Sequence, residues 1–429
     1  MLTREQNELL CRVEGAAPMG GVMRRHWLPV CMSEEVVERD GPPVRSRLLG
    51  EDLVVFRDTQ GNLGVLGEYC LHRRASLAFG RNEECGLRCL YHGWKFDVEG
   101  NVVDMPSEAP GAAQRLGKKA KAYPARESGG FVWIWMGPRE EMREFQPPAW
   151  APQPGIRYAI VKMHTACNWA QVLEGSIDSA HSSSLHSTNM PAAEDVYGST
   201  ATDEAWLRPS NDKAPRLQFE TTPYGFRYAA IRKPIKNPET HQYVRTTLFV
   251  APFTVLIPPN NRYNLAQMLV PIDDVNTMFY WIAWHPDPAK GITQEAWRRF
   301  CAATLGEDLD QNYRKVRTLA NKFMQDREAM KRGDWTGIKG IPAQDMAMWE
   351  SMGPITDRSE DHFGSSDLAV AQFRRMMVAA VQKFAAGGAA IGTESPTPYV
   401  KLASFEGVVP RSVDWRTLGV PADEAITAK

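Results

Sequence analysis

The segment CLHRRASLAFGRNEECGLRCLYH, residues 70–92, carries the strongest fold signal in the chain. It contains Cys70 and His72, then sixteen intervening residues, then Cys89 and His92. Each half offers one thiolate and one imidazole from a short loop, and both groups are common metal ligands in proteins. The pattern therefore indicates a metal centre held between two loops.

Two kinds of metal centre accept this set of ligands. A structural zinc ion binds two cysteines and two histidines as a tetrahedron. In a Rieske [2Fe–2S] cluster, the two cysteines bind one iron and the two histidines bind the other. The spacing favours the cluster, because Cys-x-His and Cys-x-x-His place one sulfur and one nitrogen at the same level of each loop. A zinc-stabilised binding protein, which would be colourless, is the alternative.

The sequence around these loops predicts an all-β region of short strands. Apolar runs at 53–56 and 131–135 are separated by turn signals rich in glycine, proline, asparagine and aspartate. We predict three parts: an N-terminal helix over 1–25, an all-β domain over 26–150 that holds the cluster, and a second domain over 151–429.

Length and composition support two domains and exclude several functions. The chain has 429 residues, too many for one ordinary domain. Its net charge of −1 argues against nucleic-acid or membrane-surface binding driven by bulk charge. We find no apolar run of about 18 residues, and the N-terminal MLTREQNELL lacks the apolar core of a signal peptide. Seven cysteines do not suggest a disulfide scaffold, so we expect a reducing, cytoplasmic setting.

A second segment, NWAQVLEGSIDSAHSSSLH at residues 168–186, offers a separate metal site. Two histidines near one carboxylate could supply the three ligands of a 2-His-1-carboxylate iron site. We expect Asp178 and His181 to share one helix face. His181 and His186, however, lie about 140° apart on an ideal helix, so one metal can bind both only if the helix widens, bends or ends. The serines at 182–184 favour such a distortion. Two surface histidines after a helix would give the same pattern.

The second half of the chain predicts a curved antiparallel sheet packed on helices, which makes the fold class α+β. Strands are expected at 157–161, 219–226, 244–253 and 278–284, and long helices at 294–324 and 366–384. A cavity between the sheet and a helix would accommodate a small aromatic molecule.

These motifs resemble the oxygenase component of the Rieske non-heme iron ring-hydroxylating oxygenases. The resemblance rests on the two Cys–His pairs together with Asn168-Trp169, Glu174-Gly175, Asp178, His181 and His186. It covers almost the whole chain, and it implies an all-β Rieske domain followed by a helix-grip catalytic domain. The segments GVMRRHWLPV and DRSEDHFGSSDLAVAQFRR resemble the phthalate dioxygenase branch, which also includes enzymes for chloro-, phenoxy- and hydroxybenzoates. The family motif usually has proline where this chain has Leu90, a difference that affects no ligand.

The resemblance also implies a third ligand for a mononuclear Fe(II). The segment QDMAMWE, residues 344–350, is similar to the family segment that supplies an aspartate, so Asp345 is the expected partner of His181 and His186. Such a triad leaves coordination positions open on one side, where dioxygen binds beside the substrate. Three further acids lie nearby in a charged stretch where solvated or salt-bridged roles are expected: Asp357, Asp361 and Asp367.

Asp178 has a different implied role. In the family, the aspartate at this position bridges a cluster histidine and an iron-binding histidine. By that resemblance Asp178 connects His181 to His92 of a neighbouring subunit, and electrons pass between subunits of a cyclic homo-oligomer, a trimer or a dimer of trimers. The alternative is that Asp178 only fixes an imidazole tautomer.

The implied reaction is the cis-dihydroxylation of an aromatic carboxylate, most simply phthalate at positions 4 and 5, by O2. Electrons would come from a separate NAD(P)H-dependent flavin and iron–sulfur reductase, because the chain has neither a plant-type ferredoxin cysteine pattern nor a dinucleotide-binding glycine motif. A dianionic substrate needs cationic side chains, and Arg208 and Arg245 are the candidates. Exposed salt bridging is the alternative for each arginine.

Two other functions are compatible with the same residues. A related oxygenase could act on a chloro-, hydroxy- or phenoxybenzoate, by dioxygenation or by O-demethylation. An electron-transfer protein would carry the Rieske cluster without the mononuclear iron.

Overall fold

The computed structural model describes residues 1–152, 154–202, 205–287 and 289–419, so the last ten residues of the predicted second domain lie outside the described part. The chain divides into a smaller unit, Val13–Phe145, and a larger unit formed by Met1–Arg12 and Gln146–Lys429. The single helix expected over 1–25 is instead two helices, α1 (Arg4–Cys11) in the larger unit and α2 (Pro18–Met23) in the smaller unit. Gly15, which has a φ of +57°, lies between them.

The smaller unit is built from short antiparallel strands, as the run of turn signals predicted. Its strands are β1 (Trp27–Met32), β2 (Val44–Leu48), β3 (Glu51–Arg57), β4 (Leu63–Gly67), β5 (Arg81–Glu83), β6 (Gly86–Arg88), β7 (Lys95–Phe96), β8 (Val102–Asp104), β9 (Ala125–Ser128) and β10 (Phe131–Trp135). They form three sheets, in the orders β1-β10-β9, β2-β3-β4 and β5-β6-β7-β8. One short helix, α3 (Ala112–Leu116), follows β8.

Two tight loops at one place in this unit hold the cysteines. The first loop closes when the backbone N–H of Arg74 donates to the carbonyl of Cys70, at 3.0 Å. The second closes when Gly93 N–H donates to the carbonyl of Cys89, also at 3.0 Å. Gly93 has a φ of +76°, and a β-carbon there would lie 2.5 Å from the Pro106 ring. Glycine is therefore required at this turn.

The larger unit contains one eight-stranded antiparallel sheet in the order β11-β19-β18-β17-β16-β15-β14, with β20 paired to β16. Its strands are β11 (Arg157–Thr165), β14 (Arg216–Thr222), β15 (Gly225–Arg232), β16 (His241–Val250), β17 (Thr254–Ile257), β18 (Asn264–Pro271), β19 (Thr277–His285) and β20 (Glu406–Pro410). A separate hairpin consists of β12 (Thr200–Ala201) and β13 (Trp206–Leu207). The helices are α4 (Trp169–Ser176), α5 (Gln294–Phe300), α6 (Arg327–Lys331), α7 (Ile341–Ser351) and α8 (Leu368–Ala385).

Of the two long helices predicted for this unit, one is confirmed and the other is wrong. The helix expected at 366–384 is α8, whose buried apolar stripe includes Phe373 and Met377. The helix expected at 294–324 is wrong, because α5 ends at Phe300 and turns follow it. In these turns Asp310 Oδ1 accepts the backbone N–H groups of Asn312 and Arg314, at 2.8 and 2.9 Å. Such side-chain-to-backbone bonds compete with helix formation. No helix among the described residues meets the length and hydropathy needed to span a bilayer.

A buried ion cluster joins three helical segments of the larger unit. Glu174 of α4 accepts hydrogen bonds from Arg358 at 2.8 Å and from Arg374 of α8 at 2.7 and 3.0 Å. Arg358, which is fully buried, also donates to Asn7 of α1 at 2.9 Å. Burial alone would raise the pKa of Glu174, but the two guanidinium groups outweigh burial and lower the pKa below its usual 4.5. The carboxylate therefore offsets part of the charge of two buried cations, and Asp361, 2.6 Å from Arg374, supplies the second negative charge.

We predict that Glu174→Gln destabilises the larger unit by about 3–5 kcal/mol, because it leaves buried Arg358 without its carboxylate partner and Arg374 with Asp361 alone. The thermal midpoint should fall by roughly 5–15 °C in calorimetry of the holoprotein. Since the folded pKa of Glu174 is lowered, its stabilisation is complete above pH 4.5 and is lost as the pH falls through the folded pKa. Glu328→Gln, at an exposed acid of α6, is the matched control. Equal midpoints for the two variants would contradict this account.

Candidate metal centres

The two loops of the smaller unit bring both cysteines and both histidines together. Cys70 and Cys89 are buried, and burial together with contact with the Cys89 thiol raises the pKa of Cys70 to about 11. The imidazole centroids of His72 and His92 lie 4.4 Å apart, and the His72 ring stacks on Trp94 at 4.8 Å. The Nδ1 atoms of both histidines are buried and have no hydrogen-bond partner among the described residues. Two thiols and two unused imidazole nitrogens at one place fit a cluster with mixed sulfur and nitrogen ligands.

A second group of ligand atoms lies in the larger unit. His181 Nε2 and His186 Nε2 are 3.2 Å apart. Asp345 Oδ1, from helix α7, lies 3.5 Å from His181 Nε2 and 3.0 Å from His186 Nε2. That carboxylate oxygen is buried and has no hydrogen-bond partner among the described residues. Among the described residues, these three are the one set of histidine, cysteine or acidic side chains close enough to share a single ion, so they fit a facial 2-His-1-carboxylate iron site.

The two histidines converge because α4 ends early. The helix stops at Ser176, and Ile177 has φ −98° and ψ 0°, outside the helical region. Asp178 and His181 therefore do not share a helix face, contrary to the expectation from their spacing. Instead Asp178 Oδ1 accepts the backbone N–H groups of Ala180 and His181, at 2.7 and 3.4 Å, in a turn that precedes a short 3₁₀ helix.

Asp178 also faces the imidazole of His181, with Oδ2 at 3.5 Å from Nδ1. Burial raises the pKa of the Asp178 carboxyl, but the hydrogen bond and charge of His181 outweigh burial, so the pKa is lowered. The two side chains keep 23% and 26% of their surface exposed. Asp178 and His181 also line an open cleft of about 1000 Å³ on the surface of this unit.

Gln344 orients the other histidine, a role that the sequence did not indicate. Its Oε1 lies 2.8 Å from His186 Nδ1. Its Nε2 donates to Asn189 Oδ1 at 3.0 Å and to the Ile338 carbonyl at 2.9 Å. The two acceptors fix the amide so that oxygen faces His186. Nδ1 of His186 must then carry the proton, which leaves the Nε2 lone pair for a metal.

A cavity of about 570 Å³ adjoins His181, His186 and Asp345. Most of its wall is apolar or aromatic, including Met190, Trp206, Ile257, Pro258, Trp281 and Trp349. Arg245 also lines it. Arg208 is not part of the wall, because its guanidinium bonds the loop around Ser182 and the Met190 carbonyl, at 3.1–3.3 Å.

Two more buried arginines, Arg208 and Arg232, lie near Arg245 outside the cavity wall, and a buried acid, Glu406, lies beside Arg245. Arg208, Arg232 and Arg245 are 5%, 3% and 7% exposed, and burial lowers their pKa values to about 10, 9 and 10. Glu406 of β20 lies 3.6 Å from Arg245 and hydrogen bonds to Tyr243. Burial raises the Glu406 pKa to about 8. Arg232 and Glu406 were missed because only the pairing of distant strands brings them to this place.

The other three acids of the charged stretch lie outside this ligand group. Asp361 pairs with Arg374 at 2.6 Å, whereas Asp357 and Asp367 accept hydrogen bonds from nearby residues at the surface.

Comparison with known proteins covers both units. Residues 26–124 match the Rieske [2Fe-2S] domain, and residues 134–428 match the LigXa C-terminal domain like family. The phthalate 4,5-dioxygenase oxygenase subunit of Pseudomonas putida is 59% identical over 97% of this chain and 94% of its own length. The 3-chlorobenzoate-3,4-dioxygenase oxygenase subunit of Comamonas testosteroni is 36% identical over 97% and 98%.

Solved structures share the fold at low identity. NdmA of Pseudomonas putida CBB5 with caffeine has a TM-score of 0.58 at 19% identity, covering 89% of this chain and 100% of that one. Dicamba monooxygenase bound to dicamba has a TM-score of 0.56 at 17% identity, covering 85% and 98%. The predicted fold class, with a Rieske domain followed by a sheet-rich domain, is confirmed.

We predict that Gln344→Glu weakens Fe(II) binding about 10- to 100-fold. One carboxylate oxygen of the variant would face the Ile338 carbonyl and Asn189 Oδ1, so the side chain that orients His186 is repelled. Fe(II) affinity is measured by equilibrium dialysis, and the cluster absorption spectrum reports that the smaller unit is intact. Gln382→Glu, at an exposed position of α8, is the control. An unchanged Fe(II) dissociation constant would exclude this role of Gln344.

Proposed function

The chain belongs to the Rieske non-heme iron oxygenases, and on that premise we propose that it is the oxygenase component of a phthalate 4,5-dioxygenase. It carries the Rieske [2Fe–2S] domain and the mononuclear-iron domain of that family. The finer assignment to phthalate is supported by the 59% identity to the Pseudomonas putida subunit that bears this name.

The buried positive charge beside the cavity is the observation that carries the choice of substrate. Arg208, Arg232 and Arg245 lie near one acid of the sheet, Glu406, whose own pKa is raised. The buried acid of the cavity wall, Asp345, is assigned to the iron together with the two histidines. Isolated buried charge is strongly unfavourable, so this excess requires an anion. A dianionic aromatic dicarboxylate satisfies that requirement better than a monocarboxylate.

The shape and lining of the cavity suit an aromatic ring. Trp206 and Trp281 offer aromatic faces, and the wall near them is largely apolar. We propose that Arg245 contacts a substrate carboxylate directly. Arg208 contributes positive potential from behind the wall while its hydrogen bonds hold the Ser182 loop.

We propose the metal ligands from the positions of the cysteine, histidine and aspartate side chains described above. Cys70, His72, Cys89 and His92 would hold the cluster, and His181, His186 and Asp345 the iron. When bound, the two centres supply electrons and activate dioxygen, so that phthalate, O2, two electrons and two protons give a cis-4,5-dihydrodiol. A separate NAD(P)H-dependent reductase, working with the enzyme in the cytoplasm, would provide the electrons.

Asp178 is proposed as the connection between the two centres of adjacent subunits. It holds the His181 imidazole and is still partly exposed, so a second imidazole can reach it. The cleft next to it has exposed apolar side chains at Met348 and Met352, which suits a protein surface. We propose that His92 of the neighbouring subunit docks there, in a trimer or a dimer of trimers.

The test of this function is product analysis with the reduced holoenzyme. Phthalate should give the cis-4,5-dihydrodiol, with one O2 and two electrons consumed per product. Iron analysis should approach three irons per chain, whereas an electron-transfer protein would contain two. Conversion of 3-chlorobenzoate or another monocarboxylate in the absence of any phthalate product would instead favour the benzoate oxygenase, a candidate supported by the 36% identical relative.

We predict that Asp178→Asn retains both metal centres but slows reoxidation of the reduced cluster about 10- to 100-fold. The amide keeps the size of the side chain and loses the charge that holds His181. Stopped-flow absorbance of the cluster after mixing with O2 and phthalate measures the rate. Asp357→Asn, at a half-exposed acid, should behave as wild type. Fast single turnover in Asp178→Asn would contradict the connecting role.

A further inference from the structure

The indole of Trp94 lies flat against one of the two imidazoles proposed as cluster ligands. The ring planes of Trp94 and His72 are parallel to within 6°, and their centroids are 4.8 Å apart. Trp94 is at the end of the second cluster loop and His72 is in the first, so the stack joins the two loops. Offset parallel stacking is a preferred arrangement of aromatic rings. The contact therefore places a tryptophan face on a proposed iron ligand.

The core of the smaller unit holds this tryptophan in place. Trp94 is 7% exposed and packs in one apolar cluster with Leu77 and Phe96, and this cluster also contains Cys70 and Cys89. Its carbonyl accepts the backbone N–H of Cys89 at 2.8 Å, and strand β7 begins at the next residue. The backbone of Trp94 is thus part of the loop that holds Cys89, and its side chain fills the core beside both cysteines.

The other imidazole has a different aromatic neighbour. The His92 ring lies 3.9 Å from the Tyr91 ring, at a tilt of 40°. Tyr91 is 56% exposed, and the Arg73 guanidinium lies 5.3 Å from the centre of its ring. Water screens the field of an exposed ring, and a cation over an aromatic face opposes the negative charge of that face. The electrostatic effect of an aromatic face is therefore stronger at His72 than at His92.

A tryptophan face in this position favours the oxidised form of a cluster. An aromatic face carries negative charge and stabilises positive charge placed against it. Two thiolates balance the 2+ charge of an oxidised [2Fe–2S] core, so reduction gives the cluster a net negative charge that is shared with its ligands, His72 included. The Trp94 face opposes this added charge. Burial acts in the same sense, because a core of low dielectric constant disfavours the form of higher net charge.

We propose that Trp94 lowers the reduction potential of the cluster by stacking on His72, which makes the reduced cluster a stronger electron donor. The inference rests on the proposed assignment of His72 to the cluster and is independent of the substrate. Trp94 is a positioning residue, since it acts through a ligand. One electron enters the cluster on reduction and leaves it on oxidation, and no bond of Trp94 changes.

The test is a redox titration of the holoprotein, in which the visible absorption of the cluster is followed against potential. Trp94→Leu removes the aromatic face, whereas Trp94→Phe retains a smaller one. Both variants lack the indole N–H, which is buried without a partner among the described residues, so the difference between them reports the face alone. Trp94→Leu should have the higher potential. We expect about a three- to tenfold change in the ratio of oxidised to reduced cluster, which is about 30–60 mV at 59 mV per decade for one electron.

Phe96→Leu is the matched control. Phe96 is fully buried in the same apolar cluster and stacks on no imidazole of the described residues. Its replacement should leave the potential unchanged. A rise in Phe96→Leu equal to that in Trp94→Leu would assign the shift to lost packing and overturn the inference. Iron and sulfide contents are measured for every variant.

A second comparison keeps the shape of the side chain nearly constant. Phenylalanine and pentafluorophenylalanine are placed at position 94 by nonsense suppression. The two side chains are similar in size, and fluorination reverses the sign of the charge on the ring face. The fluorinated protein should have the higher potential, and this comparison decides the matter where Trp94→Leu does not retain its cluster. Equal potentials for the two proteins overturn the inference.

The outcomes separate this inference from the proposed function. The titration needs no substrate, so it is decisive even where phthalate is not oxidised. A Rieske EPR signal that survives in His72→Leu would show that His72 is not a ligand, and it would overturn the assignment together with the inference. Equal potentials in Trp94→Leu and Trp94→Phe, with the signal lost in His72→Leu, overturn the inference alone.

Discussion

The end of helix α4 at Ser176 is the constraint on which the site of the larger unit depends. A continued helix would point His181 and His186 in directions about 140° apart, and no single ion could reach both imidazoles. The helix is buried along its first turns, and Asn168 caps its start by accepting the Ala170 N–H at 3.0 Å. At the other end, Tyr228 of β15 donates to the Ile177 carbonyl, a group that a longer helix would have used itself. The sheet thus determines where the helix ends, and the end determines where the histidines meet.

The two buried charge clusters of this unit differ in how closely their positive and negative charges are balanced. In the cluster at Glu174, two arginines bond two acids, Glu174 and Asp361, so the charges are matched and the cluster joins α1, α4 and α8. Around the cavity, three arginines lie near Glu406, the one buried acid there that is not a proposed metal ligand among the described residues, and Arg245 Nε has no hydrogen bond to any described residue. A stable protein keeps such an imbalance only where a ligand corrects it. Arginine side chains therefore link helices in the Glu174 cluster, whereas at the cavity we propose that an arginine side chain binds a ligand.

Spacing along the sequence predicted the features that local chain geometry sets. Features that depend on contacts between distant parts of the chain could not be predicted in this way. Each cluster loop is a few residues long, so the positions of Cys70 and His72 could be inferred from their separation alone. The partnership of His186 with Asp345 spans 159 residues and was anticipated only through the family resemblance. Nothing in the sequence indicated that Glu406 would reach Arg245, because this contact requires β20 to pair with the middle of β16. The long helix expected at 294–324 failed for a local reason, namely aspartates that bond the backbone of turns.

Charge and hydrogen bonding contribute differently to the recognition of a substrate in this cavity. Coulomb attraction falls slowly with distance and depends little on direction, so buried arginines favour a dianion over a monoanion but do not fix where on the ring its carboxylates lie. A neutral N–H bonds only within about 3 Å and along its own axis, and it loses that bond entirely when the ligand lacks an oxygen at the right place. Arg245 projects from the sheet, whereas the proposed metal ligands lie on α7 and in the loop after α4. Substrate recognition and metal binding therefore depend on different elements of the fold, and a side chain of the sheet can be exchanged without altering a metal ligand.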